Sequence, residues 1–360
     1  MNGTNSADNL VGNNSNEIIN AQTGNDTIAG NQGNDILTGG GGKDKFVYNL
    51  GDGVDIITDF DGLGKGSNPS AAVIGELDTL KFQGAGLTVR NLLLTQNSNN
   101  LEITFEGVAD DKLILQNFPL ENLDNLWTLG NILFDGQSSI RDSFDVFNAN
   151  STQNTIFNKN TVTFLNDLNN NVNGFDNSDD VINGQGGNDR IDGLSGNDLL
   201  RGGAGYDQDT LIGGAGNDIL VGGAGQNTLI GGAGNDTLIG SDSEDSLIGG
   251  AGNDILFVGG NYYQDTLTGG SGNDRFVCQA SNSFSTITDF NQSEDKLVLT
   301  DVLKSQGYTG SNPILDGYLQ FVQSGTYTQV NYGKGYDTGI LATLDNFTAT
   351  NLVIGSNVLV

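Results

Sequence analysis

The chain has no histidine in its 360 residues, a single cysteine, and only 14 basic residues against 44 acidic ones. Each shortage excludes something. Without an imidazole there is no common general base and no usual zinc or copper ligand, so Ser-His-Asp hydrolases and HExxH metalloproteases are excluded as usually built. Cys278 has no partner for an intramolecular disulfide, so the fold must hold without one, and the residue reads as simply packed. A formal charge of −30 argues against nucleic acid, whose binders carry basic patches, and makes cations the natural partners. No run of about eighteen apolar residues occurs, so no transmembrane segment is expected. Met1 to Leu10 shows neither the basic n-region nor the apolar h-region of a cleavable signal.

The hydrophobic share, 36%, is low for an ordinary globular core. High net charge with few apolar residues is also the composition of disorder. Regular patterning separates the two readings. With 55 glycines present, a fixed period is the first thing to look for, and an acidic residue followed two positions later by an apolar one recurs about every nine residues. In a first block the acidic position is held by Asp8, Glu17, Asp26, Asp35 and Asp44, and the apolar one by Leu10, Ile19, Ile28, Leu37 and Phe46. In a second block the acidic position runs Asp180, Asp189, Asp198, Asp209, Asp218, Asn227, Asp236, Asp245, Asp254, Asp265 and Asp274, with Ile182, Ile191, Leu200, Leu211, Leu220, Leu229, Leu238, Leu247, Leu256, Leu267 and Phe276 as partners. The spacings Asp198 to Asp209 and Asp254 to Asp265 are longer, and both insertions fall in the turn, so strand register survives. Asp209 is preferred to Asp207 for the acidic slot because Asp209-Thr210-Leu211 matches Asp236-Thr237-Leu238.

The fullest repeats, Gly213-Gly214-Ala215-Gly216-Asn217-Asp218-Ile219-Leu220-Val221 and Gly231-Gly232-Ala233-Gly234-Asn235-Asp236-Thr237-Leu238-Ile239, resemble the GGxGxDxUx nonapeptide of RTX, or haemolysin-type, calcium-binding repeats. The resemblance implies an all-β chain with two parallel β-rolls, each followed by a β-rich capping region. Physical reasoning agrees with it. Glycines accept the positive φ of a six-residue turn, and the last three residues form a short strand whose middle side chain points inward. Two nonapeptides complete one coil, so repeat n stacks on repeat n+2 at about 4.8 Å. Aspartates and turn carbonyls then face one another as an all-oxygen cage, which suits calcium better than magnesium or zinc. Stacked carboxylates about 5 Å apart repel by roughly 3 kcal/mol at an effective dielectric of 20, so a chain largely unfolded at cytosolic calcium, folding outside the cell, is expected.

The expected metal ligands are Asp26, Asp35, Asp44, Asp180, Asp189, Asp198, Asp209, Asp218, Asp236, Asp245, Asp254, Asp265 and Asp274. With them go the turn glycines Gly33, Gly42, Gly187, Gly196, Gly203, Gly205, Gly214, Gly216, Gly223, Gly225, Gly232, Gly234, Gly250, Gly252, Gly270 and Gly272. Ser6, Ser15 and Glu17 depart from the motif, so the early repeats are expected to bind weakly, and Asn227 puts its neighbouring sites in doubt.

Expected boundaries are a first roll at 3–47, a β-rich flank at 48–140, an asparagine-rich linker at 141–175, a second roll at 176–277 and a C-terminal cap at 278–360. Phe46 and Phe276, ending the two blocks, suit a capping role, since a bare last coil would expose an apolar stripe and a sheet edge. Gly317 to Gly325 and Asn351 to Gly355 are similar to the uncleaved C-terminal targeting regions of type I secretion substrates, which implies export by an ABC apparatus and a secreted or surface-associated protein. The alternative is an extracellular enzyme with a histidine-free site in 48–175. Against it stand the lack of a GxSxG elbow and of a full Walker motif, and acidic pairs such as Asp110 with Asp111 or Glu121 with Asp124 are expected by chance in so acidic a chain. Composition likewise disfavours the helices of a pore-former, and Ile219, Ser246 and Ile255 interrupt the threonines a flat ice-binding array would need.

Overall fold

The structure, a computed structural model, describes residues 1–65, 68–126, 128–203, 205–241, 243–258, 263–278, 285–334 and 337–360. It divides into two units, Met1–Ser151 with Thr161–Leu165, and Thr152–Asn160 with Asn166–Val360.

In the first unit successive strands alternate between two parallel sheets. Asn9–Val11, Thr27–Ala29, Lys45–Asn49, Thr79–Gln83 and Ile132–Leu133 form one, while Ile18–Asn20, Ile36–Thr38, Val54–Ile57 and Lys112–Leu115 begin the other. The register pairs Ile28 with Phe46 and Ile19 with Leu37, so each apolar position stacks on the one two repeats away. Ile19, Ile28, Leu37 and Phe46 are buried, and their strand neighbours face outward or are half-buried. A three-residue strand buries one side chain, and stacking turns these single side chains into a continuous core.

The second unit repeats the plan at greater length. Asn171–Asn173, Arg190–Asp192, Thr210–Ala215, Thr228–Ala233, Ser246–Ala251, Thr266–Ser271 and Ser285–Ile287 lie in one sheet. Val181–Asn183, Leu199–Gly203, Ile219–Gly223, Thr237–Ile239, Ile255–Val258, Arg275–Cys278, Lys296–Val298 and Val358–Leu359 lie in the other. Both longer spacings leave the ladder in step, with Ile191 opposite Leu211 and Leu247 opposite Leu267.

The expected boundaries need correction. Residues 48–140 hold the β-rich cap but are continuous with the roll: Lys45–Asn49 crosses the boundary, and Val54–Ile57, Thr79–Gln83 and Lys112–Leu115 carry the roll's own sheets onward. The same holds after residue 278, where Ser285–Ile287 and Lys296–Val298 continue the second roll. Nor is 141–175 a linker. Phe144–Val146 pairs in parallel with Val162–Phe164, and Asn171–Asn173 pairs with Arg190–Asp192. Asn170 holds the acidic slot there and Val172 the buried one, so this is a repeat in which asparagine stands for aspartate. Two short helices, Ala71–Glu76 and Thr300–Ser305, interrupt the β-structure in connections.

Each unit ends in a matching cap. Phe46 packs on Phe60 and Phe60 on Phe118; Phe276 packs on Phe290 and Phe290 on Phe347. Antiparallel strands follow in both: Leu92–Asn97 with Asn100–Phe105, and Leu319–Ser324 with Tyr327–Lys334. The amide of Gln96 donates to the Phe118 carbonyl and that of Gln323 to the Phe347 carbonyl, each at 3.2 Å.

Candidate metal centre

The turn Gly213 to Asp218 shows how the sequence builds the site. Gly214 and Gly216 take φ of +105° and +142°, backbone that side chains rarely adopt, and this brings the aspartate back over its own turn. The equivalent glycines Gly33, Gly42, Gly187, Gly196, Gly203, Gly223, Gly225, Gly232, Gly234, Gly250, Gly252, Gly270 and Gly272 all have positive φ. Stacking reinforces the requirement: a Cβ on Gly234 would land on the carbonyl oxygen of Gly216. Asparagines ahead of the aspartates add a ladder, Asn217 Oδ1 accepting from the Asn235 N–H at 2.7 Å and Asn235 Oδ1 from that of Asn253 at 2.7 Å.

The thirteen aspartates expected as ligands are all buried. Their carboxylates do two different things. Oδ1 accepts a hydrogen bond from the backbone N–H of the corresponding residue one coil earlier: Asp180 to Asp198, Asp198 to Asp218, Asp218 to Asp236, Asp236 to Asp254 and Asp254 to Asp274, at 2.7 to 2.9 Å. The opposite column runs Asn170, Asp189, Asp209, Asn227, Asp245, Asp265 in the same way. In the first unit the links are Asp8 to Asp26 to Asp44 and Glu17 to Asp35.

Oδ2 is left over. In Asp26, Asp35, Asp44, Asp189, Asp198, Asp218, Asp236, Asp245, Asp254 and Asp274 it is buried without a hydrogen-bond partner. A Cβ built on Gly231 would meet both Asp236 Oδ2 and, at 2.6 Å, the Gly249 carbonyl, so the orphan oxygen shares its cradle with a backbone oxygen of the next turn. Oxygen facing oxygen in a buried cradle calls for a proton or a cation between them. Burial, the largest cause, pushes Asp189 up to about 8, Asp198 and Asp245 to about 7, and Asp44, Asp209, Asp218 and Asp254 to about 6. The backbone N–H on Oδ1 opposes this in each case, and neighbouring carboxylates in the column add to it for several.

Among the described residues no three Asp, Glu, His or Cys side chains converge on one point. The donor set on offer is therefore a carboxylate oxygen with backbone carbonyls, hard and all-oxygen, as calcium prefers.

Not every expected ligand is equivalent. Asp180 has no spare oxygen: Oδ2 accepts from the Phe175 N–H at 2.8 Å and Oδ1 from the Ser178 hydroxyl at 2.5 Å. Outside the expected set, Asp8 Oδ2 accepts from the Thr4 N–H, and the two Glu17 oxygens accept from the Asn13 N–H and the Ser15 hydroxyl. Gly205 departs from the expectation. It lacks the positive φ of the other turn glycines, and the carbonyl facing Gly225 belongs to Asp207, because the insertion displaces Gly205 from the fourth turn position. Asp209, not Asp207, stands in the acidic column.

Besides Asn170, sequence reasoning missed three members of the columns. Asp55, Asp78 and Asp295 accept on Oδ1 from the N–H groups of Asp35, Asp44 and Asp274. Asp78 and Asp295 are then closed on Oδ2 by the N–H groups of Asp61 and Asn291, which ends the column on a hydrogen bond. Burial raises Asp78 to about 8, Asp55 to about 7 and Asp295 to about 6. The signal was present as the triplets Asp55-Ile56-Ile57, Asp78-Thr79-Leu80 and Asp295-Lys296-Leu297, outside the nine-residue period.

Among curated proteins no relative matches. A solved structure with similarity is an extracellular lipase, LipA, from Serratia marcescens, at 14% identity over 98% of this chain and a TM-score of 0.19, too low to carry an argument. This chain spans 40% of that lipase's length. The RTX calcium-binding nonapeptide repeat matches residues 2–34, 11–46 and 20–57, and again 176–209, 208–238, 230–262 and 260–277. The chain carries, in two blocks that coincide with the open aspartate columns, RTX calcium-binding nonapeptide repeats.

Proposed function

We propose that the protein is a secreted module whose two rolls fold on binding several calcium ions outside the cell, and that it serves as a rigid structural or interaction element rather than as an enzyme. The observation that carries this is the row of buried Oδ2 atoms without partners. Asp26, Asp35, Asp44, Asp189, Asp198, Asp218, Asp236, Asp245, Asp254 and Asp274 would hold calcium through that oxygen, with turn carbonyls completing the cage. Buried carboxylates in a low-dielectric column oppose folding at neutral pH until a cation neutralises them, so metal binding and folding are coupled. Cytosolic calcium, near the micromolar range or below, leaves weak repeat sites empty, while about 1 mM outside fills them. That difference keeps the chain extended for a type I exporter and sets its folding in the extracellular space.

The test is a calcium titration of the chelator-treated chain from micromolar to millimolar, following far-UV circular dichroism and bound calcium together, with magnesium as control. A cooperative gain of β-signal with several ions per chain is expected. Full β-structure in chelator at neutral pH would overturn the coupled-folding reading.

A further inference from the structure

Asn227 occupies an aspartate's place in the column and is 2% exposed. Its carboxamide is oriented by the network: Oδ1 accepts from the Asp209 N–H at 2.9 Å, as every aspartate Oδ1 in the column does. Nδ2 therefore points where the neighbours carry an orphan oxygen, and it donates to the carbonyls of Gly223 and Gly225, both at 3.1 Å. The positions correspond closely. A Cβ on Gly222 would meet Asn227 Nδ2 at 2.8 Å and the Gly240 carbonyl at 2.9 Å, just as one on Gly213 would meet Asp218 Oδ2 and, at 2.7 Å, the Gly231 carbonyl. In one turn a buried donor satisfies the carbonyls. In the other a buried acceptor faces them.

We infer that Asn227 is a built-in substitute for a calcium ion: its amide closes its own turn without metal and divides the column Asp189, Asp209, Asn227, Asp245, Asp265, leaving the open oxygen of Asp189 on one side and that of Asp245 on the other. This rests on the calcium reading above. A neutral NH2 supplies two donors where a cation would supply charge, so the turn folds with no metal bound and adds no carboxylate repulsion. Such a turn stays formed at calcium concentrations too low to load its neighbours, which gives the middle of the roll a place from which ordering spreads to the coils on either side.

The full chain would be compared as wild type, Asn227→Asp and Asn227→Ala, reading bound calcium at saturation and the calcium concentration at the folding midpoint. Asn227→Asp replaces the donor by an oxygen that faces the same carbonyls, so it should bind at least one more calcium ion than wild type. Asn227→Ala should bind as many ions as wild type but need more calcium to fold. A wild type that binds calcium, with no extra ion in Asn227→Asp or with an unshifted midpoint in Asn227→Ala, overturns the inference alone. A wild type that binds none overturns the calcium reading and this inference with it.

Discussion

Asp236 Oδ1 accepts the backbone N–H of Asp218 at 2.8 Å while Asp236 Oδ2 is buried with no partner. One carboxylate thus ties two coils together and leaves its other oxygen for a cation. The two roles can be separated by substitution. Asp236→Asn keeps the acceptor and loses the charge; Asp236→Ala loses both and strands the Asp218 N–H, at a cost of about 1–3 kcal/mol. In saturating calcium both variants should bind fewer ions than wild type, with Asp236→Ala the less stable in thermal unfolding. In chelator Asp236→Asn should show at least as much far-UV β-signal as wild type. If chelator-treated Asp236→Asn holds less β-signal than wild type, the idle oxygen is not what limits the metal-free fold.

The pH dependence of the metal-free chain follows from the same carboxylates. Burial raises Asp78 and Asp189 to about 8, Asp55, Asp198 and Asp245 to about 7, and Asp44, Asp218 and Asp254 to about 6, from the ordinary aspartate value of 3.8. The folded state therefore binds protons more tightly than the unfolded one. The stability they contribute is fully present below about pH 4 and is lost as pH rises through about 6 to 8. Far-UV β-signal in chelator should be larger at pH 5 than at pH 8. Calcium affinity should run the other way and weaken as pH falls, because protons compete for the open oxygens. A metal-free β-signal that climbs between pH 5 and pH 8 would contradict the burial of these groups.

Glycine substitutions separate turn strain from chain entropy. Gly234 has φ of +137°, and a Cβ there would strike the Gly216 carbonyl of the stacked turn. Gly234→Ala should cost about 2 kcal/mol or more and weaken calcium binding. Gly75, inside the helix Ala71–Glu76, has open space around its Cβ position. Gly75→Ala should be neutral or stabilising by about 0.5–1 kcal/mol. Denaturant unfolding in saturating calcium checks both, and equal effects at the two sites would mean that the turn conformation is not restrictive.

The period of the repeats made the roll legible because each nonapeptide contributes the same buried residue, Leu220 or Leu238 for instance, at the same step. It also made the Asp209 alignment decidable, since only that choice keeps Leu211 in register with Leu229. What failed was the edge of the pattern. Asp78 and Asp295 hold column positions after loops too long to keep a nine-residue step, and Asn170 holds one without a charge, so a criterion of spacing plus acidity passes over all three. Gly205 was misassigned because an insertion lets the chain choose which residue takes the fourth turn position, and sequence does not fix that choice. The division of the carboxylate between a tying and an open oxygen was not readable at all, because it depends on which N–H one coil away reaches each atom.

The caps offer the last test, because the same device closes both rolls. Asp59 receives the N–H groups of Gly39 and Gly40 at 2.9 and 2.8 Å, and Asp289 receives those of Gly269 and Gly270 at 2.9 and 2.8 Å. The hydroxyls of Thr38 and Thr58, and of Thr268 and Thr288, bond beside them at 2.8 Å in each pair. In both rolls a carboxylate from the following strand region takes the glycine N–H groups that a further coil would otherwise cover, with Phe60 or Phe290 over the apolar stripe. Charge-assisted bonds to backbone N–H contribute about 1.5–3 kcal/mol each when buried, and partial exposure lowers this. Asp289→Ala should therefore destabilise the second unit by about 2 kcal/mol in saturating calcium, and Asp59→Ala the first by a similar amount. Asp289→Asn, which keeps one acceptor, should fall between alanine and wild type. Amide hydrogen exchange at Gly269 and Gly270 locates the effect: faster exchange there in Asp289→Ala, with the first unit unchanged, is the expected result, and unchanged exchange at both glycines would show that the aspartate does not close the roll.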